Sequence, residues 1–292
     1  MCRLFAMSGG SEPVSATFWL LQAPDSLAQQ SRREPDGTGL GTFTPDGQPL
    51  VSKQPLAAFE DRDFAREAKS VTGRTFVAHV RFASTGDLTV ANTHPFLQDG
   101  RLFAHNGVIG DLPALEHELG DDLALVEGET DSERFFALIT REIRRTGDVA
   151  EGIAAAAGWV AANLPLFAIN CVLIGPDDLW ALRYPDTHDL FALPRDAGGT
   201  EGTAGSGALE HASAKRIRVH SEDLAERPAV VVATERMDDD PGWRALDSGE
   251  LLHVDGDLHV SSHRVLEGPP AHPLSLADLG ERAAASQAGA AK

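Results

Sequence analysis

The regularly patterned segments of this chain fall into blocks, with β-like runs toward both ends of the sequence and one pair of helices between them. Phe135, Phe136, Leu138, Ile139 and Ile143 recur at helical spacing behind Thr130-Asp131-Ser132-Glu133, where Thr130 and Glu133 are spaced as a capping box. A second helical segment follows over roughly 149–162. Before this pair, β-like runs occupy 2–8, 39–43, 49–53, 74–82 and 101–105; after it they occupy 166–174, 179–183, 190–193, 229–233 and 251–261. Pro45-Asp46-Gly47 and Asp255-Gly256 supply turns within these groups. Two further helices are expected, one over 11–21 opened by Ser11-Glu12-Pro13 and an amphipathic one over 61–71. Helices in a pair and strands in groups predict helix layers on a sandwich of sheets, not alternating βαβ units.

A strand that starts at residue 2 is a second constraint, because chain termini fray unless they are tied down; the N-terminus is expected to be buried. The 292 residues suffice for a sizeable core, and 42% apolar against 24% charged residues is the balance of a folded chain. A net charge of −19 argues against nucleic-acid backbones and anionic membranes as partners, since both need a basic face. The two cysteines, Cys2 and Cys171, build neither a disulfide framework nor a four-cysteine zinc site, which fits a reducing, cytoplasmic setting. Met1-Cys2-Arg3-Leu4-Phe5 lacks the features of a signal peptide. The weakly apolar stretch 152–175 is interrupted by Asn163, Pro165 and Asn170, so no membrane span is expected. Residues 197–207 and 281–292 are expected to be mobile from their Gly/Thr/Ser and Ala-rich composition.

Four features carry chemical meaning, and each has a structural alternative. Removal of Met1 before the small Cys2 would leave a thiol and a free α-amine on one residue, a nucleophile with its own base, although a cysteine there can equally be part of a plain strand. His79 and Arg81 share one face of a strand whose Val77, Val80 and Phe82 largely face the other way; Arg81 suits a carboxylate, whether of a ligand or of a structural ion pair. Asn106-Gly107 after a strand offers a side-chain amide beside an unobstructed N–H, enough for an oxyanion hole or for a simple turn. Asp131 at a helix start can be a ligand group or a cap. His79, His94 and His105 lack metal-ligand spacing, 198–207 lacks the Lys of a phosphate loop, and Asp238-Asp239-Asp240 reads as a solvated turn outside any EF-hand pattern.

Taken in order, Cys2, the loop from Asp36-Gly37 to Gly41, His79 to Gly86, Asn92 to Phe96, His105-Asn106-Gly107-Val108-Ile109 and Thr130-Asp131-Ser132-Glu133 resemble the glutaminase domain of class II glutamine amidotransferases. These belong to the N-terminal nucleophile hydrolase superfamily. The resemblance implies an α+β fold, a four-layer αββα sandwich of two mostly antiparallel sheets, as a single domain over 1–275 with a flexible tail over 276–292. It implies Cys2 as nucleophile with its α-amine as base, and Asn106 and Gly107 as oxyanion donors. Arg81 would bind the α-carboxylate of glutamine and Asp131 its α-ammonium, with Ser84 where the family often has a substrate-contacting hydroxyl. No cofactor or metal is implied. Residues 33–39 follow the family's forms only loosely, and Trp243 is read as packing. The expected activity is hydrolysis of glutamine or another γ-glutamyl amide, as in stand-alone relatives that act on small thiol-containing γ-glutamyl metabolites. The alternatives are ammonia supply to a separate synthetase chain and a catalytically silent binding protein.

Overall fold

In the computed structural model, which describes residues 2–32, 36–82, 86–195, 209–212, 218–221 and 227–287, the buried apolar side chains sort into three principal layers. Alternation along the strands produces the sorting. The strand Arg3–Ser8 sends Phe5 and Met7 outward and Leu4 and Ala6 inward, to the layer between two sheets. Its neighbour Thr75–Arg81 sends Phe76, Ala78 and Val80 outward and Val77 inward.

The first sheet is antiparallel, in the order Arg244–Ala245, Phe191–Arg195, Ala229–Ala233, Arg3–Ser8, Thr75–Arg81, Gly37–Phe43 and Pro49–Gln54. The N-terminal strand is therefore held on both edges in the middle of a sheet. The second runs Val260–Arg264, Glu250–Val254, Leu179–Arg183, Pro165–Ile174, Arg101–Ile109 and Phe96–Gln98, also antiparallel, with His272–Pro273 added in parallel to Pro165–Ile174. Helices Leu112–Leu119, Asp131–Thr146 and Val149–Asn163 carry the apolar layer on the outer face of the second sheet, while Phe18, Trp19, Leu27, Phe64 and Ala68 cover that of the first. The result is the αββα sandwich. Among the described residues no helix is long and apolar enough to cross a membrane.

Three local expectations are corrected. Instead of a helix over 11–21, Val14–Ser15 pairs with Thr72–Gly73, and a π-helical turn, Phe18–Gln22, precedes a short helix, Leu27–Gln30. The cause is side-chain competition for the backbone: Ser15 Oγ accepts from the Thr17 N–H, and Thr17 Oγ1 donates to the Ala68 carbonyl. Between the β-like runs 74–82 and 101–105, where no strand was expected, Phe96–Gln98 forms an edge strand. Where a tail was expected from 276, the chain makes a 3-10 turn at Leu276–Asp278 and the helix Glu281–Gln287, whose Gln287 is buried and bonded to His188 Nε2 at 2.9 Å. Residues 197–207 lie outside the described residues.

The helix pair depends on a close approach at Gly152. A Cβ there would lie 2.5 Å from Ile143 Cγ1 and 2.7 Å from the Ile143 backbone nitrogen, whereas at Gly158 the nearest atom is Leu266 Cδ2 at 3.9 Å. Helix propensity favours Ala over Gly by about 1 kcal/mol at both positions. Gly158→Ala is expected to stabilise by up to about 1 kcal/mol, and Gly152→Ala to destabilise by about 1–3 kcal/mol through overpacking. Urea midpoints of the two variants check this; shifts of the same sign contradict it.

Candidate active site

The register of the central ladder assembles the first half of the site. Arg3 pairs with Val80 and Leu4 with His79, which brings Cys2 to the level of Arg81 at one end of the sheet. Cys2, His79 and Arg81 share the inward face; Val77, expected on the opposite face, lies on this one as well. The Phe82 N–H donates to Cys2 Sγ at 3.2 Å, and the thiol lies 3.3 Å from the Phe82 carbonyl oxygen.

The next strand over makes room for a loop. Gly39 pairs with His79, and a Cβ on Gly39 would lie 1.9 Å from the His94 carbonyl oxygen. The segment Asn92-Thr93-His94 can therefore lie directly on the sheet, which seats the His94 ring 4.2 Å from that of His79 and 4.6 Å from Phe96. Asn92 fixes this loop: Nδ2 donates to the Asp87 carbonyl and to Glu129 Oε2, each at 3.1 Å, and Oδ1 accepts from the Glu129 N–H at 2.7 Å. Arg81 Nη1 donates to the Asp87 carbonyl at 3.2 Å.

The second sheet supplies the facing wall. His105 Nε2 lies 3.2 Å from the Ala168 carbonyl, which can only accept, so Nε2 carries the proton and Nδ1 accepts from Ser132 Oγ at 2.9 Å. Asn106, on the inward side with Leu102 and Ala104, has both side-chain polar atoms buried without a hydrogen-bond partner among the described residues. At Gly107 a Cβ would fall 1.8 Å from the Ala168 oxygen, so no side chain fits. Asp131 is the first residue of its helix and Oδ2 accepts from the Ile109 N–H at 2.9 Å. Thr130 is the cap, its Oγ1 accepting from the Glu133 N–H at 3.2 Å. The reciprocal half of the capping box is absent: Glu133 instead accepts from Glu127 and Gly128 N–H groups at 3.1 and 2.7 Å.

Cys2, Arg81, Gly107 and Asp131 line one small pocket, together with His79 and His94. Asn106 precedes Gly107 on the same strand, and Ser84 lies outside the described residues. His105 and Ser132 also face this pocket; the sequence weighed His105 only as a metal ligand and Ser132 only as part of a helix start. Burial drives the His79 pKa down to about 3, with Arg81 and His105 adding to the shift and the His105 main chain opposing part of it. Burial also holds His94 well below the ordinary histidine range. Arg81 is lowered by burial, opposed by the charges of Cys2 and Asp36 and by that of Asp131. The Cys171 thiol is pushed up to about 12 by burial, which leaves it inert. Among the described residues no group of three His, Cys, Asp or Glu side chains is arranged to hold a metal ion.

Two antiparallel sheets between helix layers make the αββα sandwich, and at its centre a thiol at the head of a central strand shares a pocket with a buried arginine and a helix-start carboxylate. The chain belongs to the class II glutamine amidotransferases, whose family profile matches residues 1–272. It is 28% identical over 179 residues to a glutamine–fructose-6-phosphate aminotransferase (isomerizing) of Bradyrhizobium diazoefficiens, covering 61% of this chain and 28% of that one. It is 28% identical over 168 residues to a probable glutamine amidotransferase of Saccharomyces cerevisiae, covering 50% and 47%. The chain thus spans less than half the length of these two relatives. The fold is shared with the glutamine phosphoribosylpyrophosphate amidotransferase of B. subtilis at a TM-score of 0.61 and 18% identity, over 91% of this chain and 50% of that one.

The neutral histidines give the site a pH signature. A histidine held near 3 in the folded state and near 6.5 when unfolded contributes stability that is complete above 6.5 and lost as pH falls. His79 alone removes about 2 kcal/mol between pH 8 and pH 5, and His94 adds in the same direction. Urea unfolding at the two pH values should show this loss, and His79→Gln should recover part of it. A His79→Gln profile parallel to that of the unaltered chain contradicts the assignment.

Proposed function

We propose that this chain hydrolyses the γ-amide of glutamine or of a γ-glutamyl amide through a thioester on Cys2, after removal of Met1. The carrying observation is that Cys2 Sγ, held by the Phe82 N–H, shares one small pocket with the Arg81 guanidinium and the Asp131 carboxylate. A glutamyl group is a zwitterion with a reactive carbonyl at its far end. Arg81 pairs with its α-carboxylate and Asp131 with its α-ammonium; Ser84 is a further hydroxyl for the substrate. A ligand clamped at both charged groups presents its γ-carbon to the sulfur as a near-intramolecular partner.

The α-amine of Cys2 takes the thiol proton as sulfur bonds to the γ-carbon, and passes it to the departing nitrogen. The oxyanion of each tetrahedral intermediate is met by the Asn106 side-chain N–H and the Gly107 backbone N–H. An unpaired buried amide costs about 1–3 kcal/mol in the resting protein, which supports a donor kept for a transient partner. Water then cleaves the thioester and releases glutamate. The domain acts on its own in this reading, in a reducing, cytoplasmic setting that keeps both thiols out of disulfides. A second reading, ammonia supply to a separate synthetase chain, is favoured by the 28% share of the aminotransferase relative that this chain covers.

Intact-mass spectrometry before and after a glutamine-mimicking diazoketone tests the nucleophile. The expected result is a chain without Met1 that gains one adduct, mapped to Cys2. Cys2→Ala should take no label and lose at least about a thousandfold in glutaminase rate, and Arg81→Lys should raise the KM for glutamine by about 30-fold or more. A Cys2→Ala protein that still hydrolyses glutamine overturns the mechanism. A panel of γ-glutamyl amides separates the two readings, because an ammonia-supplying subunit should be slow on all of them until its acceptor is added.

A further inference from the structure

His79 and His94 line the pocket beside Cys2, and the thioester chemistry above uses neither. Both residues are buried, at 1% and 4% exposure. Their rings lie 4.2 Å apart, and none of the four ring nitrogens makes a well-formed hydrogen bond among the described residues. The third histidine differs in kind, since both His105 nitrogens are engaged by Ser132 and Ala168. Gly39 and the Asn92 amide hold the His94 segment against the sheet, so the pair is built into the fold by two independent devices.

Burial keeps both imidazoles uncharged, which makes them poor bases at neutral pH but good hydrogen-bond partners. A neutral imidazole has one N–H donor and one acceptor nitrogen, so the pair brings two of each to the residues that line the pocket with Cys2. A metal ion would need further ligands, and no third ligand is arranged there among the described residues. An anion would find fixed charge at Arg81 rather than at these rings. What the set fits is a small neutral molecule that both donates and accepts, which describes ammonia and water.

We propose that His79 and His94 form the exchange subsite of this reaction, holding the nitrogen that leaves the γ-carbon and then the water that replaces it. This rests on the glutamyl reading above. One subsite serves both steps because water attacks the thioester along the path by which the nitrogen departed. In the first step the carbon–sulfur bond forms as the carbon–nitrogen bond breaks, and the thiol proton leaves with ammonia. In the second the carbon–oxygen bond forms as the carbon–sulfur bond breaks, and one water proton returns to sulfur through the α-amine. The imidazoles orient the exchanged molecule and take no net proton; they are positioning residues for the group that enters and leaves.

Competition between water and hydroxylamine for the thioester tests this. The full chain is given glutamine with added hydroxylamine, and the ratio of γ-glutamyl hydroxamate to glutamate is measured for the unaltered protein and for His79→Leu and His94→Leu. Removing either ring should cancel the advantage of bound water and raise the ratio by about tenfold, with the KM for glutamine within about threefold because Arg81 and Asp131 are untouched. His94→Gln, which restores one donor and one acceptor, should fall between the unaltered chain and His94→Leu. The ratio is set after the thioester forms, so slow acylation or a partly unfolded sample does not move it. Turnover with unchanged ratios in both leucine variants overturns this inference alone. An unaltered chain that forms neither product overturns the glutaminase reading and this inference with it.

Discussion

The ladder between Arg3–Ser8 and Thr75–Arg81 is the interaction on which the rest of the molecule depends. It closes the middle of the first sheet, and its register decides which side chains meet at the end of that sheet. A slip of one residue would turn Leu4 and Ala6 out of the layer between the sheets and carry Cys2 to the opposite face. The pairing of Phe5 and Met7 with the outer apolar layer therefore specifies the site as firmly as any contact within it. Ala229–Ala233 pairs with the other edge of the N-terminal strand, so hydrogen bonds on both sides hold the segment that carries the thiol.

Room for chemistry comes from what the glycines leave out. Gly39 admits the His94 backbone onto the first sheet, and Gly107 admits the Ala168 carbonyl beside the second. Each absent side chain brings a second segment within reach of the pocket. Carboxylates then fasten the loops: Glu129 holds Asp87 and Asn92, and Glu133 holds the N–H groups of Glu127 and Gly128. Much of the acidic character near the site is spent on orienting backbone, which leaves Asp131 as the carboxylate that faces the pocket from a helix start.

The block order of strands and helices was legible because long periodic runs report which face is buried: the first central helix starts directly behind Thr130 and the second lies within a residue or two of 149–162. Phe96–Gln98 was not, since three residues at a sheet edge carry no period. The segment 11–21 misled because Ser15 and Thr17 bind neighbouring backbone, a choice decided by Ala68 far along the chain. At the site, Cys2, Arg81, Asn106, Gly107 and Asp131 were individually ambiguous, and the convergence of Cys2, Arg81, Gly107 and Asp131 on one pocket depends on register between distant strands that no local pattern encodes. The pairing of His79 with His94 was hidden for the same reason: fifteen positions separate them, and they meet through the room left by Gly39 and the bonds of Asn92, both remote from His79 in the sequence.

Charge neutrality of the histidines also bears on recognition. The chain as a whole carries −19, yet a zwitterion has no net charge to be steered or repelled at distances beyond the screening length, so local charges decide binding. Were His79 and His94 protonated, three cations would crowd the Arg81 end of the pocket and oppose the α-ammonium that Asp131 is proposed to receive. Burial removes two of those charges without removing the rings. The pocket thereby keeps one guanidinium and one facing carboxylate, matched to a ligand with one charge of each sign, while the imidazoles remain as neutral polar surface beside the sulfur. The desolvation that costs stability in acid is the same condition that keeps the cleft charge-balanced for the zwitterion proposed as its ligand.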